Sequence, residues 1–97
     1  MPDRPNRAII YESQYLAELE QIQPDFFRAD ESLAGLLWVL VRDPTQGYQS
    51  RTAPDVWYYP LVRGDFPPVT VFYTFNDERL CFLSIRRLDE GNGTAKP

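Results

Sequence analysis

Two apolar, β-prone runs near the end of the chain, residues 69–75 and 80–87, most constrain the fold. A short polar break at residues 76–79 separates them, which predicts a β-hairpin. Each run carries apolar side chains at both odd and even positions, so both faces of the hairpin are apolar. Strands of this kind are covered on both faces. The sequence therefore predicts a sheet with helices on one face and aromatic side chains or a partner on the other.

Two helices are predicted before the hairpin. The first begins near Ser13, a residue that favours helix N-caps. Pro24 ends it, because the residue before a proline is pushed out of the helical region. The second helix is predicted to begin after Asp30 and to end at the segment 42–47, RDPTQG. Its apolar stripe consists of Leu33, Leu36, Leu37, Leu40 and Val41. We expect a core in which three leucines of this helix face three residues of the hairpin: Leu36, Leu37 and Leu40 against Val71, Leu83 and Ile85.

The remaining segments complete a β-α-α-β-β-β order. Residues 7–11 and 56–62 are β-prone, and the proline at position 60 indicates an edge strand or a bulge. Residues 47–55 are predicted to be loop, and residues 63–68 a turn. The prediction is a single α+β domain over residues 7–88, with an antiparallel sheet and two helices packed on one face. Flexible termini are expected at residues 1–6 and 89–97.

Composition narrows the chemistry. The formal net charge is −4, which disfavours general nucleic-acid binding. The chain has no histidine and a single cysteine, Cys81, so we expect no metal site, no cofactor and no internal disulfide. No apolar run is long enough to span a bilayer, and no signal peptide is evident, so we expect a cytoplasmic protein that makes no membrane contact.

Four stretches of the chain, in order, resemble segments of a known family: AIIYESQYLAELEQI, RDPTQGY, VRGDFPPVTVFYTFNDE and RLCFLSIRR. Their order and spacing resemble the RelE/ParE superfamily, the toxin halves of bacterial type II toxin–antitoxin pairs. The resemblance spans roughly residues 8–88. It implies a cognate antitoxin as partner and, for the ribonuclease members, activity on messenger RNA at the ribosome.

The resemblance also locates the candidate catalytic residues. The ribonuclease members have one arginine in the strand just before the motif tyrosine, which is Tyr73 here. They have a second arginine in the last strand and a histidine or tyrosine near the C-terminus. Here the first position is Thr70, the second is Arg86, and the third falls on Leu88 and Asp89. If the alignment slips at the double proline that follows the Gly-Asp turn, Arg63 replaces the missing strand arginine. The candidate catalytic residues are therefore Arg86 and Arg63.

Two clusters have a structural and a functional interpretation. Arg86 and its neighbour Arg87 either keep a strand end solvated, contact a partner, or bind phosphate. The aromatic run at residues 57–59 either packs on the sheet or offers a platform to a partner. The residues predicted to bind a partner are Trp57, Tyr59, Arg79 and Arg87.

Three functions follow from this reading. The first is a toxin-like protein that mainly binds an antitoxin and has weak or no ribonuclease activity. The second is an active ribosome-dependent endoribonuclease that uses Arg86. The third is a solitary, non-toxic interaction module on the same fold. We also expect self-association as a two-fold homodimer beside the last hairpin.

Overall fold

The sheet and helices follow one another along the chain much as the sequence predicts. The structure, a computed structural model, describes residues 7–63 and 66–88. The termini expected to be flexible, residues 1–6 and 89–97, lie outside these ranges. The described elements are β1 (Ala8–Tyr11), α1 (Ser13–Ile22), α2 (Phe26–Arg42), a 3₁₀ turn (Pro44–Gln46), β2 (Tyr48–Gln49), β3 (Trp57–Arg63), β4 (Phe66–Phe75) and β5 (Arg79–Arg87).

The described strands form one sheet in the order β1-β5-β4-β3-β2. Strands β2 to β5 pair antiparallel, as expected. Strand β1 pairs parallel to β5, from Ala8 beside Arg79 to Tyr11 beside Phe82. The prediction of a purely antiparallel sheet is therefore wrong, and the sheet is mixed. A parallel pair needs a long crossover connection, which the helices and the intervening strands supply here.

The sheet includes more of the chain than predicted. Residues 47–55, expected to be loop, contain β2, which pairs with Trp57 and Tyr58. Strand β4 begins at Phe66, so part of the predicted turn at residues 63–68 is strand. The prediction that Pro60 marks an edge strand or a bulge is confirmed. Strand β2 pairs with β3 only before Pro60, and a register shift lies just beyond it, between Leu61 and Arg63.

Both helices begin earlier than the predicted caps, Ser13 and Asp30, imply. The N-cap of α1 is Glu12, whose side chain makes no capping hydrogen bond, and Ser13 is the first helical residue. Helix α1 ends at Ile22, before Pro24, as predicted. Helix α2 begins at Phe26 rather than after Asp30. The reason is Asp25, whose Oδ1 accepts the Arg28 N–H at 3.3 Å and so caps the helix one turn earlier.

The hydrophobic core lies between the two helices and one face of the sheet, which we call the helix face. It consists of Tyr15, Leu33, Leu36, Leu40, Val69, Val71, Tyr73, Leu80, Phe82 and Ile85. The predicted positions of Leu36, Leu40, Val71 and Ile85 are confirmed.

Two leucines expected in the core are not buried there. Leu37 is half-buried at the border of the core. Leu83 is half-buried outside the core, because Phe72 pairs with Ser84 while Tyr73 pairs with Phe82. That bulge leaves Leu83 without a pairing partner in β4. The side chains of β5 that face the core are at even positions before the bulge and at odd positions after it.

The Asp-Pro-x-x-Gly segment that carries part of the resemblance has a structural role. The Tyr73 hydroxyl, fully buried, donates to the Pro44 carbonyl at 2.5 Å. The Asp43 carboxylate accepts from the Thr45 N–H at 3.2 Å and caps the 3₁₀ turn. A Cβ at Gly47 would collide with the Tyr73 hydroxyl and the Tyr58 carbonyl. The segment and the motif tyrosine therefore fix each other across the end of α2.

Candidate functional site: the open face of the sheet

The face of the sheet opposite the helices carries a row of aromatic side chains. Cross-strand partners share a face, and the register places Tyr48, Tyr58, Phe72 and Ser84 side by side across β2, β3, β4 and β5. The rings of Tyr48 and Tyr58 lie 5.5 Å apart, and those of Tyr58 and Phe72 lie 6.2 Å apart. Tyr48 is 58% exposed.

A second row runs parallel to the first. Pro60 pairs with Thr70, and Thr70 pairs with Arg86. The buried residues of both helices belong to the core on the helix face, so within the described residues the helices leave these two rows uncovered except beside Glu18 of α1, where Ser84 is buried. We call this surface the open face: Tyr48, Tyr58, Pro60, Thr70, Phe72, Ser84 and Arg86.

Glu18, on α1, reaches the edge of the open face. Strand β1 pairs with β5 only as far as Phe82, which leaves the next part of that edge to a side chain. The Glu18 carboxylate accepts the Ser84 hydroxyl at 2.6 Å and the Ile85 N–H at 3.1 Å. It also lies 3.7 Å from Nε of Arg86. One carboxylate therefore takes the place of the missing strand at this edge and pairs with Arg86.

The pKa of Glu18 reflects these contacts. Partial desolvation raises the pKa, but the hydrogen bonds from Ser84, Ile85 and Gln14 and the charge of Arg86 outweigh it, so the pKa lies below the ordinary value. Glu18 is therefore ionised at neutral pH and balances the charge of Arg86.

Arg86 retains access to solvent despite this ion pair. Its side chain is 64% exposed. An exposed guanidinium can donate to a carboxylate or to a phosphate. Thr70 stands directly opposite it and carries no charge. Among the seven described residues that define it, the open face therefore has one cation, already paired, where the nuclease resemblance implies two.

The second candidate catalytic residue, Arg63, does not lie beside Arg86. It is the last residue of β3, and its backbone pairs with that of Phe66. Strand β4 lies between β3 and β5. Two strand spacings separate the backbones of Arg63 and Arg86 by about 10 Å before any offset along the strands.

The three arginines of β5 do not form one patch. Arg79 begins the strand, whereas Arg86 and Arg87 end it. A strand of this length separates its two ends by about 25 Å. Arg87 pairs with Val69, a core residue, so it lies on the helix face, while Arg86 lies on the open face.

Trp57 and Tyr59 also lie on the helix face. They pair with Tyr73 and Val71, both fully buried. Both side chains are half-buried and pack against the core, and the Trp57 ring meets the Phe75 ring edge-on at 5.5 Å. Only part of each ring is therefore exposed to solvent, and their role in binding a partner stays a prediction.

Sequence reasoning named Arg86, Thr70 and the aromatic run that includes Tyr58, but it missed four other residues at the open face: Tyr48, Phe72, Ser84 and Glu18. Ser84 gave a usable signal, since it is a polar residue within an apolar strand. Glu18 gave none, because a glutamate on an amphipathic helix is ordinary. The grouping of Tyr48 with Phe72 depends on the short strand β2, which the sequence did not predict.

An apolar pocket lies between the helices and β1. Its volume is about 130 Å³, and it is lined by Tyr11, Tyr15, Leu16, Leu19, Ala29, Leu33 and Leu37. Its walls offer little beyond apolar contact. Within the described residues, no group of three potential metal ligands occurs, and no helix is long and apolar enough to cross a membrane.

Comparison with known proteins identifies the fold. A scan against models of protein families found no match, and a search of curated proteins also found none. Among solved structures, a chain of the "Chromosomal ParDE TA system from P. aeruginosa" matches 84% of this chain and 96% of its own length. The TM-score is 0.63 and the sequence identity is 17%. The resemblance to the RelE/ParE superfamily is therefore confirmed as a likeness of fold.

Proposed function

We propose that this protein is a toxin-like component of a bacterial type II toxin–antitoxin pair that mainly binds a cognate antitoxin in the cytoplasm and cleaves RNA weakly or not at all. The fold, shared with a chain of a ParDE system, supports the toxin-like role. A fold alone does not choose an activity. The observation that carries the proposal is the state of Arg86, paired to Glu18 and faced by Thr70.

Weak ribonuclease activity follows from the chemistry of the open face. Attack of a ribose hydroxyl on phosphate needs a base, an acid and cations that stabilise the phosphoryl oxygens. Arg86 is a single cation whose charge Glu18 already balances. The chain contains no histidine to act as acid or base near neutral pH.

Antitoxin binding is supported by the surfaces left available. The aromatic row of the open face is half-buried to exposed, and such rings are favoured anchors in interfaces. Beside it, β2 covers β3 only at Trp57 and Tyr58, so the outer edge of β3 beyond them has no described partner strand. An extended peptide can add to an edge of this kind. An acidic side chain of the partner could then approach the exposed guanidinium of Arg86.

The RNA test compares cleavage of messenger RNA with and without ribosomes. We expect little or no cleavage by the purified protein. Robust cleavage that disappears in an Arg86→Ala variant would overturn the proposal and favour the second candidate, an endoribonuclease that uses Arg86 with Arg63 or a tyrosine. Control reactions contain Arg51→Ala, because Arg51 is exposed and lies in the loop between β2 and β3.

The binding test uses the product of a short reading frame adjacent to the gene. We expect it to bind, and Tyr48→Ala to weaken that binding, since Tyr48 is the most exposed ring of the aromatic row. The matched control is Leu16→Ala, 49% exposed on α1. If both variants bind the product with equal affinity, the binding site is not the open face. The absence of any adjacent frame whose product binds would favour the solitary module.

A further inference from the structure

The outward side of α2 carries apolar and small residues where a solvated helix usually carries charge. Trp38 is 65% exposed and Val39 is 36% exposed. Ala34 and Gly35 are also exposed. At 3.6 residues per turn these positions share one side of the helix, opposite Leu36 and Leu40 in the core. We define the outer stripe of α2 as Glu31, Ala34, Gly35, Trp38, Val39 and Arg42.

The outer stripe is complementary to itself. If two copies of α2 pack antiparallel about a two-fold axis between residues 36 and 37, position 35 faces position 38 of the other copy. Position 34 then faces position 39, and position 31 faces position 42. Each Trp38 therefore meets a Gly35, each Val39 meets an Ala34, and each Glu31 meets an Arg42 of opposite charge.

The space that this arrangement needs is present. Apart from the neighbouring residues and the backbone of α2 itself, no atom of the described residues lies within 4 Å of a Cβ built at Gly35, so the surface there is open. A large ring on one helix can occupy the space above a small residue on the other, as ridges of one helix fill grooves of its neighbour. Arg42 already lies over the Trp38 ring, 4.3 Å from its centroid, and from there its guanidinium can face an acidic residue of a second copy.

We propose that the protein forms a two-fold homodimer through the outer stripe of α2. The occupant of the stripe is a second copy because large residues face small ones and acid faces base under a single two-fold operation, as an isologous interface requires. This contact differs from the one expected beside the last hairpin. It leaves the open face free, so it does not depend on the proposed antitoxin binding.

The expected dimer is weak. One helix stripe per copy buries less than the roughly 800 Å² per partner of a standard interface. We therefore expect sedimentation equilibrium of the whole protein to show a dimer fraction that rises between about 5 and 500 μM. Trp38→Ala should weaken dimerisation at least about tenfold, because a central tryptophan is a typical hot spot. Gly35→Gln should do the same by filling the space above the glycine.

A charge-reversal experiment tests the register itself. Glu31→Arg alone and Arg42→Glu alone should each be monomeric, since like charges then face each other in both copies of the pair. An equimolar mixture of these two variants should form a heterodimer, because every facing pair is again attractive. The control variant Glu20→Arg reverses an exposed charge on α1 and should dimerise like the wild type. Circular dichroism of each variant confirms folding.

Two results would overturn the proposal. One is a wild-type protein that stays monomeric at every concentration. The other is a dimer that persists in Trp38→Ala and Gly35→Gln, which would place the contact on another surface. A folded mixture of the two charge variants that fails to associate would refute the antiparallel register.

Discussion

Replacing Tyr73 by phenylalanine removes one hydroxyl from the interior. Tyr73 is fully buried, and its hydroxyl is the donor for the Pro44 carbonyl at 2.5 Å. Pro44 is itself buried, so water cannot easily replace the lost donor. An unsatisfied buried acceptor costs about 1–3 kcal/mol. A change of 1 kcal/mol shifts the melting temperature of a domain of this size by roughly 4–8 °C. We therefore expect Tyr73→Phe to melt roughly 4–24 °C below the wild type.

The assay is thermal unfolding followed by circular dichroism or calorimetry at neutral pH. The matched control is Tyr48→Phe, which removes a hydroxyl from a ring that is 58% exposed. Exposed substitutions usually change stability by no more than about 0.5 kcal/mol. If Tyr73→Phe and Tyr48→Phe melt at the same temperature, the bond to Pro44 contributes nothing and the structural role of the motif is refuted.

The same hydroxyl predicts a dependence on alkaline pH. Desolvation is the main reason why the pKa of Tyr73 rises from 10.0 to about 12, and the hydrogen bond to the backbone of Gly47 opposes it. Because the folded pKa is the higher one, the contribution to stability is fully present below pH 10 and is lost as the pH rises through 12. Between these values the stability of Tyr73→Phe should fall less steeply with pH than that of the wild type.

Three further substitutions test other parts of the structure. Leu40→Ala empties a fully buried core position and should lower the free energy of unfolding by about 2–5 kcal/mol, measured by urea denaturation. Gly47→Ala should destabilise the fold measurably, because its Cβ meets the Tyr58 backbone, and a melting temperature equal to the wild type would contradict the close packing. Glu18→Gln tests the lowered pKa of Glu18. The stability that this carboxylate contributes is present above pH 4.5 and is lost as the pH falls through the folded pKa. The free energy of unfolding of the variant should therefore fall less steeply with acidification than that of the wild type.

The order and type of the main elements could be predicted because local signals were strong. Pro24 ends α1 because the residue before a proline is pushed out of the helical region. The leucine spacing of α2 leaves little choice of the face that it buries. The hairpin of β4 and β5 follows from two β-prone runs and a polar break. The start of α2 was wrong because Asp25 and Asp30 are both good caps, and only the observed bond from Arg28 distinguishes them.

The long-range features could not be read from the sequence. Nothing local in residues 8–11 says whether they run parallel or antiparallel to a strand at the other end of the chain. The bulge that displaces Leu83 depends on the pairing of Phe72 with Ser84. The ion pair of Glu18 and Arg86 joins a helix to the last strand. The resemblance identified Arg86 as a candidate site residue. The residues that surround it could be identified only from the structure.

The pairing of β1 with β5 determines when this chain can finish folding. Ala8–Tyr11 has no other described strand neighbour, and the ring of Tyr15 stacks on Phe82 of β5 at 5.4 Å. During synthesis, the first strand and first helix must therefore wait, with apolar side chains unpacked, until the last strand has emerged. Closing so long a loop slows folding more than it lowers final stability. The newly made chain thus passes through an interval in which its N-terminal region is vulnerable to proteases and to aggregation.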